Sequence, residues 1–303
     1  MPSSNRFRGC LLGLAAGDAV GTTVEFRPRG SFTPLTDMVG GGPFQLQPGQ
    51  WTDDTSMALC LATSLVECGG FDARDQMERY CRWAETGYLS STGTCFDIGN
   101  TISAALYRFR QTGKPFSGSE NPHSAGNGCI MRLAPIPLFY YPDIAAAEAF
   151  AADSSRTTHG AEECVDASRL LTRILIRALA GQSKEAVISG DSEDFLGSPK
   201  IIAIAHGEYR HKIKAEIKGS GYVVASLEAA LWCFMHTETF RDAVLCAANL
   251  GDDADTTAAI CGQLAGAFYG ESGIPEAWLE RLTMRQEIGE LAERLATHSV
   301  TGT

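Results

Sequence analysis

Two short stretches gather oxygen-bearing side chains in a pattern that chemistry can use. Residues 51–62 read WTDDTSMALCLA, and residues 249–270 read NLGDDADTTAAICGQLAGAFYG. In each, adjacent Asp residues and a Thr stand directly before a run of apolar or small residues at helical spacing. Capping accounts for part of this, because a Thr or Asp at the N-cap accepts a free backbone N–H and first-turn acids complement the helix dipole. Each cap contributes about 1 kcal/mol and uses one or two residues per helix. That leaves an excess among Thr52, Asp53, Asp54, Asp252, Asp253, Asp255 and Thr256. If the two helix starts meet, their Asp side chains repel one another unless cations or protons lie between them. Oxygen donors with no His or Cys beside them select Mg²⁺, Mn²⁺ or Ca²⁺ over Zn²⁺, and two groups of ligands suit a pair of ions.

Four other segments carry candidate groups. AAGDAVGTTVEF supplies Asp18, expected just after a helix as a structural acceptor for backbone amides, and Glu25 on a loop. In TCFDIGNT, Asp97 is placed to cap a helix over 98–111, with a catalytic role as the alternative. NPHSAGNGCIMRLAP, residues 121–135, sets Ser124, Gly126 and Gly128 before a helix, where glycines let backbone amides approach a phosphate. Neither a GxGxxG nor a Walker A pattern is present, and Arg132 there either holds the loop or balances the acids. His159, in SRTTHGAEE, reads first as a structural or capping residue.

These groups need a scaffold, and the apolar spacing predicts a mostly helical one. Helices are expected over 5–17, 54–68, 73–86, 98–111, 143–152, 161–180, 222–235, 240–249, 255–269 and 276–296, separated by Gly and Pro punctuation. No series of alternating strands appears; KIKAEI at 212–217 alternates but is short and isolated. Stripes of small residues (Gly13, Ala16, Gly17, Gly21 and Gly262, Ala265, Gly266, Gly270) predict helices whose backbones approach closely. Loops over 27–51 and 112–126 are too long for simple connectors and are expected to carry function. No linker divides residues 1–303, so a single all-α domain is expected.

Composition narrows the function classes. The 303 residues carry 25 Lys and Arg against 36 Asp and Glu, a formal charge of −11 that argues against nucleic acid or an anionic membrane as the main partner. The ten cysteines form no CxxC pair and sit mostly in apolar stretches, as reduced core residues of a cytoplasmic protein do. The apolar run after Arg8 spans about seven residues and ends at Gly-Asp, too short for a signal peptide, and no stretch approaches the ~20 apolar residues of a membrane span.

Six pieces in chain order, GCLLGLAAGDAVGTTVEF, WTDDTSMAL, CFDIGNT, SAGNGCIMRLAP, TTHG and GDDADTTAAICGQLAGAFYG, resemble the ADP-ribosylglycohydrolase family over nearly the whole chain. The resemblance implies a single, compact, roughly orthogonal multi-helix domain around a pair of Mg²⁺ or Mn²⁺ ions. It carries over Thr52, Asp53, Asp54, Asp253, Asp255 and Thr256 as metal ligands, with Glu25 at the metal or substrate site. Asp252, where relatives often have Gly, stays outside that set. Asp97 matches the acid facing the scissile bond in the arginine-specific branch. Ser124, Gly126, Asn127 and Gly128 match the diphosphate loop, and His159 matches the residue lining the distal ribose pocket. Ala125 replaces an aromatic found in some relatives.

The implied activity is hydrolysis of ADP-ribose from protein, most closely from arginine. The C1″ bond would break through an oxocarbenium-like transition state, with Asp54 or Asp253 orienting a water and Asp97 steering the departing guanidinium. The expected partners are an ADP-ribosylated protein and the ADP-ribose product, with no nucleic acid or membrane, and the expected state is a monomer. The alternatives are a hydrolase of serine-linked or free ADP-ribose derivatives, an immunity protein against an ADP-ribosylating toxin, and an inactive ADP-ribose-binding or structural relative. An inactive relative would have lost acids, whereas both clusters are intact.

Overall fold

The computed structural model describes residues 4–189 and 194–298. Fourteen α-helices carry the described chain: α1 Ser4–Gly21, α2 Asp53–Cys68, α3 Ala73–Thr86, α4 Asn100–Thr112, α5 Pro135–Tyr140, α6 Ile144–Thr158, α7 Glu162–Leu179, α8 Lys184–Ser189, α9 Pro199–Ala205, α10 Val223–Met235, α11 Phe240–Ala248, α12 Ala254–Tyr269, α13 Glu276–Arg281 and α14 Arg285–His298. Only isolated β-bridges occur among the described residues, so the all-α expectation holds. No helix is long and apolar enough to cross a membrane. All ten cysteines are free thiols.

α1 and α12 form the centre. Every residue from Gly9 to Gly21 and from Ala254 to Ala267 is buried, as expected for helices that are apolar or small on all sides. The small-residue stripes pair antiparallel: a Cβ on Gly13 would overlap the Gly262 carbonyl, one on Gly17 that of Ala258, and one on Gly21 that of Ala254. The predicted close approach is therefore real, and it joins the end of α1 to the start of α12. The surrounding helices enclose this pair in one cluster of buried side chains that includes both Phe7 and Leu295.

Several boundaries differ from expectation. α1 runs on to Gly21, so Asp18 lies inside the helix rather than after it. α4 begins at Asn100 with Gly99 as its N-cap residue, so Asp97 is not its cap. The physical reason is the backbone: Asp97 has φ +59, a left-handed turn that carries its carboxyl away from the helix start. The span 276–296 divides into α13 and α14 around Met284, at φ +56. α5 contains two prolines, and Pro135 is tolerated because it occupies the first turn. The alternating 212–217 segment is a turn. The long 27–51 loop is bolted down near the second acidic stretch: Leu35 and Asn249 exchange two hydrogen bonds, and Arg29 donates to Leu250 O.

Candidate active site

The end of α1, the start of α2 and the start of α12 converge. Asp18 reaches across from α1 and accepts from the backbone N–H groups of Thr52 and Thr55 at 2.9 and 3.0 Å, and from their hydroxyls at 2.9 and 2.6 Å. It thus caps α2 from another helix, the structural role foreseen for it. With that cap supplied, neither Thr52 nor Asp253 makes a side-chain cap of its own helix. The two acidic stretches are then cross-tied: Thr52 Oγ1 lies 3.3 Å from Asp255 Oδ2, and Thr256 Oγ1 lies 3.2 Å from Asp54 Oδ1. Residues 52–54 and 253–256 do meet.

Two loops add further acids. Phe26 N–H donates to Asp252 O at 2.7 Å and Asp252 N–H donates to Arg27 O at 2.8 Å, which fixes Glu25 beside the start of α12. Glu25, Asp97 and Asp255 each place a carboxylate oxygen within 4.8 Å of the others. Among the described residues no ion pair reaches Asp18, Glu25, Asp53, Asp54, Asp97, Asp253 or Asp255. Arg132, a candidate counter-charge, instead donates to Thr158 and lies over the Tyr80 ring.

The electrostatic result is a cluster that holds protons tightly. Burial, then the Asp97 and Asp253 charges, push Glu25 up to about 9. Burial with Asp18 and Asp253 pushes Asp97 up to about 7. Burial and neighbouring carboxylates drive Asp53, Asp54 and Asp255 well above the usual carboxylate range. Asp54 Oδ2 and Asp255 Oδ1 are buried with no hydrogen-bond partner. Buried acceptors left in this way are costly unless a ligand satisfies them. The donor set is carboxylate and hydroxyl oxygen, and it fits hard divalent cations.

A cleft of about 980 Å³ opens over these acids, lined by Glu25, Asp53, Asp97, Asp253, Asp255 and Thr256 on one side. Gly126, Asn127, Gly128 and His159 line its other side. Asn127 donates from its side-chain amide to Asp253 Oδ2 at 2.6 Å and to Ser226 at 3.1 Å, which ties the glycine loop to the acids. His159 follows α6 directly and is buried, and burial together with the Arg132 charge lowers its pKa to about 3. Arg132 donates to Thr158 Oγ1, and the same hydroxyl shares a 2.8 Å hydrogen bond with His159 Nδ1. Nε2, at the other side of the ring, lies against Gly126 and Gly128. A Cβ on Gly128 would come within 2.7 Å of the imidazole, so glycine is required by the close approach. Ser124 stands apart: it lines an adjoining groove of about 560 Å³ with Glu163, Lys200 and Tyr222.

Sequence reasoning missed several lining residues. The GSG at 219–221 reads as punctuation, yet Gly219 O accepts from Asp253 N–H and Gly221 O accepts from Asn127 N–H. It therefore joins the acidic stretch to the glycine loop. Phe26, Thr101, Ile102 and Met131 also line the cleft, and only adjacency to candidate residues would have flagged Phe26 or Met131.

The sequence profile described as ADP-ribosylglycohydrolase matches residues 2–302. An ADP-ribosylarginine hydrolase Tri1 of Serratia proteamaculans is 46% identical over 97% of this chain and 79% of its own length. An ADP-ribosyl-[dinitrogen reductase] glycohydrolase of Rhodospirillum rubrum is 32% identical over 93% of this chain and 92% of its own. A solved structure titled ADP-ribosylglycohydrolase-related protein complex superposes with a TM-score of 0.87 at 42% identity, covering 98% of this chain and 99% of that one. A profile spanning nearly every residue and relatives matched over more than nine-tenths of this chain agree with the convergence of the six sequence pieces: the chain belongs to the ADP-ribosylglycohydrolase family.

Proposed function

We propose that the protein is an ADP-ribosyl hydrolase that cleaves the N-glycosidic bond of mono-ADP-ribosyl-arginine in modified proteins, with two Mg²⁺ or Mn²⁺ ions as cofactors. The observation that carries the reading is the meeting of two acidic helix starts, with partnerless carboxylate oxygens, at one end of a cleft whose other wall is a glycine loop and a neutral histidine. Similarity to relatives named for arginine-linked substrates supports the choice of linkage.

Thr52, Asp53, Asp54, Asp253, Asp255 and Thr256, with Glu25 beside them, would hold the ions. When bound, the ions supply charge neutralisation and Lewis acidity toward ribose hydroxyls and water. The protein's own groups do the rest. Gly126 and Gly128 present open backbone, and His159 a polar ring nitrogen, to the diphosphate and distal ribose. Ser124 lies further out along the same wall. Asp54 or Asp253 orients the attacking water, whose oxygen bonds to C1″ as the C1″–N bond breaks. Asp97 hydrogen-bonds the departing guanidine, a role open to it because Gly99 rather than Asp97 occupies the N-cap of α4. The protein acts as a single-domain monomer in the cytoplasm and releases ADP-ribose.

Release of ADP-ribose from arginine- and serine-modified proteins, assayed in parallel before and after chelation, tests the reading. The expected result is release from arginine that stops on chelation and returns with Mg²⁺ or Mn²⁺. Release from serine alone, or undiminished release after chelation, overturns it.

A further inference from the structure

The acid end of the cleft has a rim that the proposed chemistry does not use. Phe26, directly after Glu25, is 65% exposed and has φ +61. A bulky residue seldom holds that conformation, and a large apolar ring seldom faces solvent beside carboxylates. Asp97 and Asp252, on the same rim, also have positive φ, so three of the six such non-glycine residues among the described ones gather here. Strained residues of this kind cluster at ligand clamps. The paired backbone bonds between residues 26–27 and Asp252 hold Phe26 in this position. Behind it stand Phe44, edge-on at 6.4 Å, and Phe96, whose ring lies 5.1 Å from that of Phe44. A smaller groove of about 390 Å³ shares Glu25 and Phe26 with the cleft and is lined further by Gly42 and Pro43. Arg27 lines it too, but its guanidinium is turned to Ser31 O and the Phe32 ring.

We infer that Phe26 is a specificity-determining residue whose ring face receives the planar, cationic guanidinium of the modified arginine, with the neighbouring carboxylates on its other side. Phe44 and Phe96 are positioning residues that buttress the ring, and the outer groove carries the substrate chain away. This rests on the arginine reading above and extends it. A serine linkage has neither the plane nor the charge that a cation–π contact requires.

Hydrolysis of ADP-ribosyl-agmatine, which has the guanidinium but no peptide, tests the inference in Mg²⁺ buffer alongside ADP-ribose binding. Phe26→Leu keeps apolar bulk and loses the π face; its kcat/KM falls about 10-fold while the Kd for ADP-ribose is unchanged. Phe26→Tyr restores turnover, and Phe44→Ala gives a smaller loss. Wild-type kcat/KM in Phe26→Leu, or an equal loss in ADP-ribose binding, overturns the role of the ring. If the wild-type protein cleaves serine-linked but not arginine-linked substrate, the arginine reading fails first and this inference falls with it.

Discussion

The α1–α12 seam and the acid cluster at its end, where α2 and two loops join those helices, obey opposite rules. Along the seam, Gly9, Gly13 and Gly17 of α1 press against the backbone of Gly266, Gly262 and Ala258 in α12. At the end of the seam Asp18, Asp54, Asp253 and Asp255 gather, and every one of them has its pKa raised. The seam is satisfied by packing alone, whereas the cluster is held together against its own repulsion. The lesson is mechanical: glycine contacts supply the rigidity that lets unfavourable charge be positioned.

The largest expected effect comes from breaking the seam. Gly262→Val drives a side chain into the Gly13 carbonyl with backbone on both sides, and overpacking of that kind costs about 3 kcal/mol or more. Thermal unfolding by circular dichroism should show a lost or strongly lowered transition, with activity lost in parallel. A variant that melts like wild type would mean that the seam does not hold the site in place.

Relieving the cluster should separate stability from function. Asp255 has its folded pKa raised by burial first and then by Glu25 and Asp54, so it withholds stability as pH rises above the unfolded carboxylate value of about 4. Asp255→Asn should therefore melt a few degrees above wild type in chelator at pH 8, while hydrolysis falls about 10³-fold. Lower melting in chelator would show that Asp255 stabilises the metal-free protein, against its place in the cluster.

The smallest effect sharpens the comparison from the opposite wall. His159 is depressed to about 3 in the folded protein from an ordinary 6.5, so the unfolded chain takes up its proton first. Its contribution to stability is complete above about 6.5 and is lost as pH falls toward 3. Urea unfolding at pH 7 and pH 5 should show His159→Gln losing less stability between the two than wild type. An identical loss would assign the acid sensitivity to other groups.

Much of this site was legible because its acids exceed what capping explains. Thr52–Asp54 and Asp253–Thr256 stand before helices that start within one residue of their predicted positions. Asp97 was misplaced because an Asp before a helix looks the same whether it caps or turns away, and the difference is one backbone dihedral. Asp18 fell outside its predicted helix because Gly17 reads as a stop, whereas here Gly17 is one of the glycines against which α12 packs. α5 was hidden by its prolines. The Phe26 rim left no periodic signal, since its place depends on hydrogen bonds between loops more than two hundred residues apart in the chain.

The seam has a consequence for biosynthesis. Gly13 and Gly262 are far apart in the chain, and each is the other's packing partner. Such a long-range closure is slow and waits for both helices. A nascent chain leaving the ribosome exposes a glycine-lined helix with no mate and half of an acid cluster until α12 emerges. The complete acid cluster therefore waits for α12 rather than accumulating along the chain.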